Sequence, residues 1–171
     1  MNKQYDEPDF IDVVSGKVDS DGEQVASEIK ALCFEQSFAV LATQDEVRPY
    51  TNLISFAVDE DLKHLTFATP SQTRKYHLIA KNKNVSLLID NRDRQPESIN
   101  LIRAITITGE ARPLEDSSEI KRWSKILINR HNYLDKFINS PSSSLILADI
   151  TQIIYVRRFQ EVYRWVPDSH S

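Results

Sequence analysis

Two hydrophobic rhythms alternate along the chain, and the points where one gives way to the other mark its elements. Val25, Ile29, Leu32 and Cys33 recur at helical spacing and predict an amphipathic helix over residues 22–36. Ser37–Thr43 alternates in twos, with Phe38, Val40 and Ala42 on one face and Ala39, Leu41 and Thr43 on the other. Gln44, Asp45 and Glu46 turn the chain into a second strand, Val47–Val58, where Pro49 suits an entry or edge position. Asp59–Asp61 makes another turn, and Leu62–Thr69 reads as a third strand. Three such runs joined by short polar turns predict an antiparallel meander.

Pro70 and Ser71 end the third strand, and Ser71 or Thr73 is placed to cap a helix running to Asn84. The strand VSLLID follows, then a polar loop over residues 93–100 that contains Pro96. Leu101–Leu114 is a long strand, with Ile105 and Ile107 on one face and Ala104, Thr106 and Thr108 on the other. Gly109 within it predicts a bulge or bend. A helix is expected from Asp116 to Phe137, with Ile120, Trp123, Leu127, Leu134 and Ile138 as its apolar stripe. After a Ser140–Ser144 loop come two closing strands, Leu145–Arg158, interrupted near Asp149, and Glu161–Val166. The sum is a mainly β fold, six or seven antiparallel strands with flanking helices, curled into a barrel or sandwich. Apolar side chains fill the interior of so small a barrel, so a ligand is expected outside it, at an edge or between subunits.

Length and charge narrow the classes. A chain of 171 residues predicts one domain, residues 21–171, preceded by an acidic arm over residues 1–20. Phe10, Ile11, Val13 and Val14 in that arm are expected to pack onto the body. A net charge of −4 disfavours a general nucleic-acid binder. The single Cys33 allows no internal disulfide and fits a reducing, cytoplasmic setting. No apolar run is long enough for a membrane span, and residues 1–20 are unlike a signal peptide. His64, His77, His131 and His170 lack metal-site spacing, and three glycines leave no Gly-rich phosphate loop. His77 reads as a buried or capping histidine rather than a catalytic one. Arg92–Arg94 and Arg157–Arg158 read as solvated charges.

One placement asks for chemistry. Arg74 and Lys75 open a helix where the dipole favours acids. Either an anion binds between them and the free backbone N–H groups, or they are two solvated bases on a surface helix.

The segments FAVLAT, RPYTNLISF, LTFAT, TRKYHLIAKNKNVSLLI and ITITGEARPL, in that order, resemble the pyridoxamine 5′-phosphate oxidase-like FMN-binding split-barrel family. The likeness is close over Ser37–Leu114 and loose elsewhere. It implies a split β-barrel acting as a homodimer, with FMN in a groove at the subunit interface and a small-molecule redox substrate. It implies that Thr69, beside Ala68, holds the flavin phosphate together with Arg74 and Lys75, and that Thr73 adds a hydroxyl. It implies that Asn52, Leu53, Ile54 and Ser55 run along the isoalloxazine ring and that Trp165 covers it. On the residues alone, Asn52 is equally a solvent-facing strand residue and Trp165 equally barrel-end packing. Tyr163 and Arg164 are weaker candidates.

The chain also departs from the oxidase proper. Asn52, Ala57 and Ala104 stand where that enzyme has an arginine, a lysine and a glutamine, and the chain ends WVPDSHS without an Arg-x-His-x-Arg segment. Oxidation of pyridoxamine phosphate itself is therefore not expected. The expected activity is an FMN-dependent oxidoreductase with no assignable catalytic residue. The rivals are a deazaflavin- or haem-binding enzyme of the same fold, and a non-enzymatic flavin-binding or stress protein.

Overall fold

A computed structural model describes residues 11–14, 20–93, 98–158 and 161–167. Phe10, Pro96 and His170 lie outside the described residues. The elements, in order, are β1 (Ile11–Val14), α1 (Ser20–Glu35), β2 (Phe38–Gln44), β3 (Pro49–Val58), β4 (His64–Pro70), α2 (Arg74–Lys81), β5 (Asn84–Asp90), β6 (Ala104–Pro113), α3 (Ser117–Arg130), α4 (Asp135–Ile138), β7 (Ser143–Arg157) and β8 (Glu161–Val166).

Six strands close a barrel in the order β7-β4-β3-β2-β5-β6, with β6 returning to β7. Every pairing within it is antiparallel. β8 continues the sheet on β7, and β1 joins β8 in parallel, with Arg164 of β8 paired to Asp12 of β1 at 2.6 Å. Ile11–Val14 of the arm thus docks as a strand, which brings the strand total among the described residues to eight.

The alternation sets inside from outside. Ala39, Leu41, Phe56, Leu65, Phe67, Leu87, Ile105, Ile107 and Ile153 point inward and are buried. α1 lays Val25, Ile29, Leu32 and Cys33 on this core, and α2 adds Ile79. A second cluster forms outside the barrel wall, where Trp123 and Leu127 of α3 cover Ala57, Leu145 and Leu147. Each fully buried side chain of this size contributes roughly 1.5–3 kcal/mol.

Several expectations change. β7 runs from Ser143 to Arg157 without the interruption expected near Asp149. The irregularity near Asp149 is a register shift opposite Thr108 and Gly109, as the glycine predicted. A Cβ on Gly109 would lie 2.3 Å from the Asp149 carbonyl oxygen, so only glycine lets the strands approach there. The third strand begins at His64, because Leu62 turns left-handed (φ 54°) and Asp59 Oδ1 accepts from the Lys63 and His64 N–H groups. The predicted helix over 116–137 breaks at His131, whose buried Nε2 donates to the Phe56 carbonyl at 2.8 Å; a short 3₁₀ turn and α4 follow. Ile120, placed on its apolar stripe, is exposed instead. The helix after Pro70 is shorter than predicted, and His77 on it is exposed rather than buried. No helix of the described residues is long and apolar enough to cross a membrane.

Candidate functional site

The barrel is not equally closed all round. β3 pairs with β2 from Pro49 to Ser55. With β4 it pairs over three positions only, Phe56–Val58 against Leu65–Phe67. The outer edge of β3 from Pro49 to Ser55 therefore has no strand beside it among the described residues. Continued in register, Ser55 would face Ala68 and Ile54 would face Thr69. A split opens there instead, with Asn52–Ser55 on one wall and Ala68–Thr69 and the start of α2 on the other.

The β4 wall is a polar cluster. Thr73 occupies the N-cap position of α2 in extended geometry (φ −80°, ψ 153°), but its side chain does not cap the helix. Its hydroxyl donates to the Pro70 carbonyl at 2.9 Å. A carbonyl only accepts, so Thr73's proton is committed there. In the Thr69–Thr73 hydroxyl pair, at 2.9 Å, Thr69 is then the donor. Lys75 Nζ reaches Thr69 Oγ1 at 3.4 Å, and no carboxylate reaches it among the described residues. α2 has no acidic residue in its first turn. Its leading N–H groups, at the positive end of the helix dipole, therefore have no side-chain cap from Thr73 and no carboxylate within the turn. Thr69 itself is buried, and its backbone pairs with Ser144 of β7.

Arg74 goes elsewhere. Its guanidinium lies over the Tyr50 ring, 4.6 Å from the centroid, and its Nη2 stands 3.4 Å from Asp45 Oδ2. The sequence placed both cations on one anion; the structure turns only Lys75 toward the Thr69–Thr73 cluster. Tyr50 and Asp45 were not singled out from the sequence. The signal for Tyr50 was its inward place on β3 opposite Thr43, at the barrel end that α2 covers.

On the β3 wall the residues divide by face. Ile54 is buried in the core and offers the split only its backbone. Leu53 and Ser55 point outward, and Leu53 is 67% exposed. Asn52 points inward at the barrel end, with its Oδ1 buried and lacking any hydrogen-bond partner. Such an atom costs about 1–3 kcal/mol unless a donor arrives. Ala68 is half-buried beneath the second cluster. Trp165 is not brought to this group within the chain. It is buried in the core beside Ile153, nine residues from Ser144 along β7, or roughly 30 Å at about 3.3 Å per residue. Among the described residues no group of His, Cys, Asp and Glu is placed to hold a metal ion.

A six-stranded barrel split between two neighbouring strands, with a lysine and a helix start at the split, defines the class as a split β-barrel. Residues 25–157 match the family model for pyridoxamine 5′-phosphate oxidase, and the chain belongs to that family. No curated protein matches the sequence. Among solved structures, the chain is similar to general stress protein 26 from Bacillus anthracis str. Sterne, with a TM-score of 0.62 at 23% identity, covering 82% of this chain and 98% of that one. A protein from Clostridium acetobutylicum related to general stress protein 26, of the pyridoxinephosphate oxidase family, gives a TM-score of 0.67 at 15% identity, covering 87% and 96%. A haem-binding protein from Mycobacterium smegmatis gives 0.73 at 12% identity; 83% of this chain is covered, and it spans 57% of that one. At such identities these likenesses show a shared fold.

Proposed function

We propose that this protein is an FMN-binding oxidoreductase that works as a homodimer, with the flavin in a groove at the subunit seam and a small-molecule redox substrate. The observation that carries the reading is the unpaired β3 edge facing Thr69, Thr73 and Lys75 across the split. Bound FMN supplies hydride and electron transfer. The chain supplies the grip and the alignment. Lys75 Nζ and the N–H groups of the first turn of α2 donate to the phosphate dianion. Thr69 and Thr73 orient Lys75 and hold the Pro70–Thr73 turn. The open backbone edge at Leu53–Ser55 pairs with the polar rim of the ring, as it would with a strand. Asn52 Oδ1 receives the donor it lacks.

The dimer rests on the outer face of the same wall. Val40 sits between Leu53 and Leu88 in register, and the row continues through Thr106 to Ile154. Phe38, 51% exposed, lies on that face too. Exposed apolar side chains beside a partly exposed strand face are the kind of surface a partner covers. Leu53→Lys is expected to shift the protein to monomer in sedimentation equilibrium; an unchanged dimer rejects this face as the seam.

An absorbance spectrum tests the cofactor. Two visible flavin bands, taken up on addition of FMN, support the reading. A Soret band assigns haem instead, and a protein that takes up neither rejects both. Replacing Arg74 and Lys75 together by Ala is expected to weaken FMN binding by about 1.5–3 kcal/mol for each charged hydrogen bond lost. NAD(P)H turnover then separates an enzyme from a flavin carrier.

A further inference from the structure

The two cations that open α2 leave it in different directions, and the one turned away has an anion of its own. Asp45 lies in the β2–β3 hairpin, 29 residues before Arg74. Its Oδ1 accepts from the N–H groups of Val47 at 2.8 Å and Arg48 at 2.7 Å. Those two donors, and then Arg74, hold its carboxyl below the usual range, which favours the charged form. Its other oxygen faces Arg74 Nη2 at 3.4 Å. Tyr50 stacks under the same guanidinium.

We propose that Asp45 sets the anion affinity of the cleft by holding Arg74 away from the Thr69–Thr73–Lys75 cluster. This deepens the flavin-phosphate reading above and rests on it. Arg74 has two anionic partners to choose between, a carboxylate of its own chain and the phosphate of the ligand. The Asp45 contact is long, and the Arg74 side chain is 53% exposed, so water screens the pair and it is weak. A phosphate accepting two guanidinium N–H groups at normal length is the stronger partner. Arg74 borders an open cavity of about 870 Å³ between the hairpin and α2, on the side of Asp45. Binding therefore breaks the Asp45 contact before Arg74 can contribute, and Asp45 lowers affinity by the strength of that contact. The carboxylate also fixes where Arg74 waits, over the Tyr50 ring beside the hairpin.

The test uses Asp45→Asn in the full chain. Asparagine keeps the Oδ1 that accepts from Val47 and Arg48, so the hairpin turn is retained while the charge is lost. FMN dissociation constants are read by flavin fluorescence quenching for the wild type, D45N, R74A and D45N/R74A. D45N is expected to bind FMN about two- to fivefold more tightly, the range of an exposed ion pair. That gain is expected to vanish in the R74A background. Equal or weaker binding by D45N overturns the proposal, and so does a gain that persists without Arg74. If wild type and D45N both ignore FMN, the cofactor reading itself fails and this proposal with it. If the wild type binds FMN and D45N matches it, only the proposal falls. Should D45N fail to fold, Asp45→Ser, whose hydroxyl still accepts from the turn, carries the same comparison.

Discussion

β6 and β7 run side by side over ten paired positions, whereas β3 and β4, neighbours in the same barrel, pair over three. Both seams join strands of similar apolar alternation, so the difference does not lie in strand propensity. The long seam satisfies its backbone groups internally and has a glycine where the strands must touch. The short seam leaves an edge of β3 unpaired and sets a lysine, two threonines and a helix start opposite it. One side of the wall holds the fold together; the other leaves backbone groups free to pair with something else.

Breaking the closed side has the largest expected effect. Gly109→Val drives a side chain into the Asp149 carbonyl, where the added Cβ alone would sit at 2.3 Å. A loss of about 3 kcal/mol or more is expected, read from the denaturant midpoint. A change under 1 kcal/mol would mean that β6 and β7 can part locally. On the open side, Lys75→Ala is expected to leave the ligand-free midpoint within about 0.5 kcal/mol, since Lys75 makes no ion pair among the described residues. The same change should weaken FMN binding by about 1.5–3 kcal/mol in titration. If stability and binding fell together, the open side would be structural after all.

The smallest effect belongs to the boundary between them. His131 holds the carbonyl of Phe56, the first residue of the short seam, and burial pushes its pKa below the usual histidine value. The carbonyl requires the Nε2 proton, which leaves Nδ1 to accept from the Tyr133 hydroxyl at 3.2 Å, so the ring is neutral in the fold. The unfolded chain takes up a proton near pH 6.5 and the folded one only at lower pH. Stability is therefore full above about pH 6.5 and falls as pH drops toward the folded value, by at most about 1.4 kcal/mol per pH unit. Chemical denaturation between about pH 7 and 5 reads that slope. His131→Gln, which can still donate to Phe56, should flatten it; an unchanged slope would assign the effect to other groups.

Much of the barrel was legible because each strand from Phe38 to Ile107 carries its own period-two signature. The pairing between strands was less so. β3 and β4 alternate right through the split, and nothing in either run says that they part after Phe56. The break at His131 was hidden because Leu134 and Ile138 continue the helical spacing, while the bond that ends the helix comes from β3. The cationic pair marked the cleft, but the direction of Arg74 depends on Asp45, which locally reads as an ordinary turn residue. Leu53 and Asn52 were legible as a strand; that one lies bare and the other carries an unmet oxygen follows only from what stands beside them.

β7 carries a burden no other strand shares, since β4, β6 and β8 all hang on it. Until Ser143–Arg157 has emerged, the nascent chain holds an unfinished sheet with two raw margins, and those margins are what a chaperone must shield. A stop codon placed before Ser143 would yield not a smaller working barrel but a sticky ribbon.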